Sequence, residues 1–181
     1  MSEKLIRIFV EGINDKRFID WIISCHYKVQ TIPYQEKKNK IINSYINQTK
    51  ANNKQDYLFL ADMDKHTYPC VTSRKNKKVS EYNSLDDKGK IIIVKEEIES
   101  WYIAGINNNC PDDIKNIQIP SDTENFTKEE FDDITPSRFN GSCIDFRIEI
   151  GKNFDLNLAR TRNKSLDRFL RKLDELKCNI K

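Results

Sequence analysis

A parallel α/β fold, with a central sheet of about four strands flanked by helices and a mainly helical C-terminal part, is what this 181-residue sequence predicts. Three observations carry the prediction. Four short apolar runs have strand length, and segments with helical spacing fall between them. The runs are close to continuously apolar, as in strands covered on both faces. Strand and helix alternate over the first 106 residues, an order whose stable solution is a parallel sheet.

Residues 4–10 read as the first strand, with Leu5, Ile6, Ile8, Phe9 and Val10 nearly unbroken. Asn14 is read as the N-cap of a helix in which Phe18, Trp21, Ile22 and Cys25 recur at helical spacing. Residues 27–32 form a second strand, ended by Pro33, and Ile41, Ile42, Tyr45 and Ile46 mark one face of a polar helix. Residues 57–61 are the third strand and residues 90–94 the fourth. Between them, residues 65–88 are polar, Lys-rich and weakly periodic, which predicts an excursion over the surface. Residues 96–106 read as a helix. Asn107, Asn108, Asn109 and Pro111 then break the chain, and Pro120, Pro136 and Gly141 punctuate the stretch beyond. Short helices are expected at 126–131 and 142–150. A better one is expected at 165–176, where Leu166, Phe169, Leu170, Leu173 and Leu176 form a stripe. The expected organisation is an α/β core over 1–106, with a helical extension over 107–181 packed on the same domain.

Composition narrows the class. Hydrophobic residues make up 38% and charged residues 33%, enough for a packed core beneath a solvated surface. No apolar run approaches the roughly 20 residues that span a bilayer, and Met1-Ser2-Glu3-Lys4 lacks the long apolar region of a secretory signal. A soluble, cytoplasmic protein without membrane attachment is expected. Five cysteines, widely spaced and without a CxxC pair, and two histidines offer no zinc-ligand spacing. They read as buried or incidental thiols in a reducing compartment. The net charge of +3 conceals blocks: residues 1–25 are neutral, 26–95 carry +7, 96–155 carry −9 and 156–181 carry +5. Such alternation suits a polyanion beside a divalent cation.

The placement of acidic residues is the informative feature. Glu11-Gly12 follows the first strand at once, with Asp15 four residues beyond Glu11. Asp62-Met63-Asp64 follows the third strand, and Glu96, Glu97 and Glu99 follow the fourth. In a parallel sheet these sets share the carboxyl edge, where such folds bind ligands. Gathered carboxylates repel one another unless a cation neutralises them, and Mg2+ or Mn2+ is the simplest occupant.

Phe9-Val10-Glu11-Gly12-Ile13-Asn14-Asp15 and Phe59-Leu60-Ala61-Asp62-Met63-Asp64 resemble the Toprim domain of topoisomerases, primases and related nucleases. The likeness covers residues 4–106 at the level of motif order. Glu97-Ile98-Glu99-Ser100-Trp101 is similar to the extra acidic motif of OLD-type (overcoming lysogenization defect) Toprim nucleases and their small stand-alone relatives. The resemblance implies a Toprim/Rossmann-like sheet in which Glu11, Asp62 and Asp64 are core metal ligands, with Asp15, Glu97 and Glu99 completing a second site. Two ions about 4 Å apart then activate water and stabilise the leaving oxygen in phosphodiester cleavage. It also implies a basic residue near the C-terminus. Asn163-Lys164-Ser165-Leu166 matches best, making Lys164 the stabiliser of charge on the phosphate, with Arg160 and Arg162 as competitors.

The likeness has departures. The tyrosine-bearing domain of topoisomerases and the zinc and helical domains of primases have no counterpart in this sequence. Met63 and Lys65-His66-Thr67 stand where the ribosomal-RNA maturases of this family have an Asp-Pro-Asp and a glycine-containing loop. There is no GxxxxGK[ST] motif, so an ATPase or sensor protein acts, if needed, as a separately encoded partner. The expected function is a metal-dependent nuclease acting on DNA or RNA, as a phage-defence or toxin effector. On that reading the basic stretch 74–78 and the C-terminal helix hold phosphates. The alternative is a non-catalytic, metal-binding regulatory module that works through a partner protein.

Overall fold

The computed structural model describes residues 4–64 and 67–178, the side chain of Cys178 excepted, so Lys65, His66 and the first and last three residues lie outside it. By contact the chain forms two compact units, residues 1–94 with 169–181, and residues 95–168. The sequence-based division falls later, at residue 106.

The first unit is the α/β sheet. Its elements run β1 (Leu5–Val10), α1 (Ile13–Trp21), β2 (Val29–Pro33), α2 (Asn39–Lys50), β3 (Gln55–Asp62), α3 (Val71–Glu81) and β4 (Ile91–Val94). The strands form one parallel sheet in the order β2-β1-β3-β4. The Rossmann-like α/β class read from the alternation of strand and helix is therefore the observed one. The chain steps from β1 outward to β2, returns across β1 to β3, and continues to β4. Right-handed crossovers then put α1 on one face and α2 with α3 on the other. Side chains agree: Thr31, on the Ile8 face, donates to Asp20 of α1 at 2.6 Å, and Arg7, on the Phe9 face, donates to Thr49 of α2 at 3.0 Å.

Pleating sends alternate side chains to opposite faces. Ile6, Ile8, Val10, Leu58, Leu60, Ile92 and Val94 are buried on one face. On the other, Phe9, Tyr57, Phe59, Ala61, Ile91 and Ile93 pack with Ile42 and Ile46 of α2 and with Tyr34 and Tyr82. The Phe59 ring stacks on Tyr34 at 4.5 Å between centroids and on Phe9 at 5.9 Å. Pro33 ends β2, an edge strand, where a missing N–H is tolerated.

Three local expectations are corrected. Gly12, not Asn14, is the N-cap of α1: its backbone is extended, and Asp15 reaches back to accept from its N–H at 2.8 Å. Asn14 lies inside the first turn. Residues 71–81 of the expected surface excursion are helical, as α3. The buried face of α3 carries Arg74 and Lys78, whose charged heads lie over aromatic rings, so counting apolar residues does not reveal its period. The helix expected at 96–106 starts at Glu99.

The second unit contains α4 (Glu99–Ala104), α5 (Asp112–Lys115), α6 (Lys128–Asp133), α7 (Cys143–Lys152), α8 (Leu156–Arg162) and the first turn of α9 (Lys164–Cys178), which from residue 169 belongs to the sheet unit. Each helix from α6 onward has a cap that sequence can supply. Thr127 and Glu130 form a reciprocal capping box on α6, and Ser142 caps α7. Asp155 caps α8 through Leu158 N at 2.9 Å, and Asn163 caps α9 through Leu166 N at 3.0 Å. Gly105 ends α4 where a Cβ would collide with the Phe154 ring, so no other residue fits without moving that ring. Among the described residues no helix is long and apolar enough to cross a membrane. Cys25 and Cys70 are exposed, Cys110 is buried and Cys143 half-buried, all as free thiols.

The central aromatic stack sets a stability test. Phe59→Ala is expected to cost about 3–5 kcal/mol in urea denaturation, whereas Ile41→Ala, at a position 40% exposed, should stay within about 0.5 kcal/mol of wild type.

Candidate functional site

In the order β2-β1-β3-β4 the chain leaves β1 toward one side and later resumes on the other, so the gap between β1 and β3 is the topological switch point. Glu11 follows β1 directly and Asp62 is the last residue of β3. Backbone pairing continues past the strands and holds both. Tyr34 N donates to Val10 O at 2.9 Å, Gln35 N to Glu11 O at 3.2 Å, and Met63 N to Val94 O at 2.9 Å.

Three donors converge on a single oxygen of Glu11. The Asp62 N–H lies 3.5 Å from Oε2, the Tyr34 hydroxyl 3.2 Å and the Arg74 Nη2 3.7 Å. The Tyr34 hydroxyl also lies 3.0 Å from Leu60 O, so its one proton serves either acceptor. Burial first, then the charges of Glu11 and Asp62, hold the Tyr34 phenol far above its ordinary range, so it stays protonated. Arg74 is 6% exposed; its Nε donates to Asp62 O at 2.7 Å, and its guanidinium lies 4.7 Å from the centroid of the Tyr68 ring. Lys78, one turn on, lies over the Tyr34 ring at 5.0 Å and pairs with Glu81 at 3.4 Å. The stretch read as a phosphate-holding surface thus turns two of its cations inward, while Lys77 faces solvent. Tyr34 and Arg74, the side-chain neighbours of Glu11, are the site residues that the sequence did not reveal, Tyr34 without any local signal and Arg74 with a weak one. The i, i+4 relation of Arg74 to Lys78 was the available signal.

The other sheet-unit carboxylates have local duties. Asp15 is buried and caps α1. Asp64 is exposed and adopts a left-handed backbone (φ 50°), a conformation Asp accepts more readily than most residues. Its carboxylate accepts from Thr67 Oγ1 at 3.0 Å, and its carbonyl from Thr67 N and Tyr68 N, closing the turn ahead of α3.

The remaining candidates lie in the second unit. Glu99 is 3% exposed and forms a 2.5 Å ion pair with buried Arg147, whose Nε has no hydrogen-bond partner among the described residues. The Arg147 guanidinium also lies 5.1 Å from the Phe131 ring. Glu97 is half-buried and accepts from Lys128 N, at the start of α6, at 3.2 Å. Burial and then the Glu99 charge raise its pKa above the usual carboxylate value. The Asn163-Lys164-Ser165 segment is a structural hub. Asn163 is fully buried and donates to Thr123 Oγ1 at 3.1 Å, and Ser165 Oγ accepts from Trp101 Nε1 at 2.9 Å. Lys164 points outward, its side chain 80% exposed and 3.4 Å from Asp122. Arg162 donates to Ile106 O at 2.8 Å, just past the end of α4, and Arg160 lies 3.9 Å from Asp167.

The sheet-edge donors suit a hard divalent cation in kind, since Glu11, Asp62 and Asp64 offer carboxylate oxygens. Among the described residues no three His, Cys, Asp or Glu side chains form a ready-made cage. Glu11 and Asp62 are the two acidic residues that the ends of β1 and β3 bring together, with Asp62 N 3.5 Å from Glu11 Oε2. Glu99 is instead taken up by Arg147.

Glu99→Gln is expected to destabilise the fold by about 3–5 kcal/mol in urea titration, because it leaves a buried guanidinium unpaired. The double change Glu99→Leu with Arg147→Met should recover most of that loss. At Glu97 the raised pKa means that stability is fully present below the unfolded value of 4.5 and falls as pH rises through the folded value. In chelator-treated protein, Glu97→Gln should therefore match wild type in Tm below that pH and exceed it at neutral pH. Comparison with protein-family models, with curated proteins and with solved structures finds no match to this chain.

Proposed function

We propose that this chain is a divalent-metal-dependent nuclease of the Toprim type, hydrolysing phosphodiester bonds in DNA or RNA. The observation that carries the reading is the meeting of Glu11 and Asp62 at the switch point between β1 and β3, with Asp62 N 3.5 Å from Glu11 Oε2. Glu11, Asp62 and Asp64 are the residues that would hold Mg2+ or Mn2+. When bound, such an ion supplies Lewis-acid charge to a phosphoryl oxygen and lowers the pKa of water.

The chain's own groups prepare the site. Tyr34, kept protonated, is a donor that Glu11 shares with Leu60 O. The 2.7 Å bond from Arg74 to Asp62 O fixes the end of β3. Asp64, two residues past Asp62, adds an exposed carboxylate beside them in sequence. In the second unit, Lys164 is the most exposed of the three basic candidates and the one suited to meet a phosphate. A role as a phage-defence or toxin effector, with a separately encoded ATPase or sensor as partner, belongs to the same proposal.

A second reading, a metal-binding regulatory module without turnover, draws on the guanidinium already set against Glu11. One experiment separates the two. Purified protein is incubated with plasmid DNA and with structured RNA in Mg2+ or Mn2+. The nuclease reading expects cleavage that falls at least about 100-fold in Glu11→Ala and in Asp62→Ala. Equal cleavage by the variants would betray a contaminant and sink the assignment. Metal binding without cleavage of either substrate would favour the regulatory module.

A further inference from the structure

Arg74 belongs to none of the acidic motifs, yet the fold directs its charge at Glu11. A buried guanidinium is costly unless it is paired and hydrogen-bonded. Here Nε is satisfied by Asp62 O at 2.7 Å, the plane rests against Tyr68 at 4.7 Å, and Nη2 faces Glu11 Oε2 at 3.7 Å. Three separate contacts, to the end of β1, the end of β3 and the turn ahead of α3, hold one positive charge in place. Lys78, the next cation along the same helix face, is engaged elsewhere, over Tyr34 and against Glu81. Arg74 is therefore the cation of α3 set against Glu11.

Resting on the nuclease reading, we propose that Arg74 is the resident counter-ion of Glu11, a positioning residue that competes with the divalent cation and sets how tightly the Glu11–Asp62 pair binds it. Two cations sharing one carboxylate oxygen repel each other across the same few ångströms over which each is attracted to it. Because Arg74 is held by Asp62 O and Tyr68 as well as by Glu11, it does not simply swing away when an ion arrives. The ion meets a carboxylate whose charge is already partly spent. One of the two negative charges of the Glu11–Asp62 pair is offset by the guanidinium, and metal affinity is held down.

The test measures Mn2+ binding alone, without nucleic acid, from the electron paramagnetic resonance signal of the free ion. Arg74→Gln removes the charge and keeps a donor for Asp62 O; it is expected to bind Mn2+ about tenfold more tightly than wild type. Arg74→Lys keeps the charge and should stay within about threefold of wild type. An Arg74→Gln chain that binds Mn2+ equally or more weakly overturns the proposal and leaves Arg74 as an anchor of the turn. If wild-type binding is saturable and lost in Glu11→Ala, that outcome overturns the counter-ion role alone. If neither wild type nor Arg74→Gln binds Mn2+, the metal reading falls and the counter-ion role with it. Should Arg74→Gln fail to fold, Tyr68→Leu takes its place: it removes the seat of the guanidinium and keeps its charge. Tighter Mn2+ binding by that variant supports the proposal, and unchanged or weaker binding overturns it.

Discussion

The parallel pairing of β1 with β3 is the constraint on which the rest of the sheet unit depends. Its register, Phe9 opposite Phe59 and Ile8 opposite Leu58, sets two aromatic rings on one face and two aliphatic chains on the other. It also decides which residues emerge together at the carboxyl edge. A shift by one residue would turn every one of these side chains to the opposite face, so the burial of both faces enforces the register strongly. The proximity of Glu11 to Asp62 is thus a by-product of core packing, fixed before any ligand is considered.

Buried charge is the second theme, handled differently in the two units. Glu99 and Arg147 pair directly inside the helical unit, both almost wholly buried, with the Arg147 Nε left without a partner among the described residues. Arg74 is shared among a carbonyl, an aromatic ring and a half-exposed carboxylate. The first arrangement is closed and its value is to stability and specificity of packing. The second leaves part of the Glu11 carboxylate facing solvent, the openness that the proposed nuclease site would need.

The same contrast decides how much is legible in the sequence. The strands were readable because runs such as Ile91-Ile92-Ile93-Val94 are buried on both faces and advertise themselves. Glu11 and Asp62 were readable because they directly follow such runs, and a parallel sheet leaves such residues one edge to occupy. The helix α3 was not, because its inward face is made of Arg74 and Lys78, residue types that composition assigns to the surface. The partner of Glu99 lies 48 positions away on α7, and nothing local announces it. Asn163 and Ser165 looked like the flanks of a basic motif, yet their side chains tie together Trp101, Thr123 and the start of α9. Hydrogen-bond hubs of this kind depend on three distant segments and have no periodic signature.

Pro33 carries a consequence beyond ending a strand. Tyr34 points its N–H inward to β1, and backbone direction alternates along a strand, so the nitrogen of Pro33 is turned toward the open side of β2. That side is a row of unused backbone groups on which a foreign strand can template itself. A proline there strikes one donor from the row and puts a ring in its place. At the opposite margin β4 is only four residues long, too short to offer much of a template. The sheet is thereby guarded at both margins against growing into a neighbouring molecule, and the guard at β2 sits one residue before the tyrosine that holds Glu11.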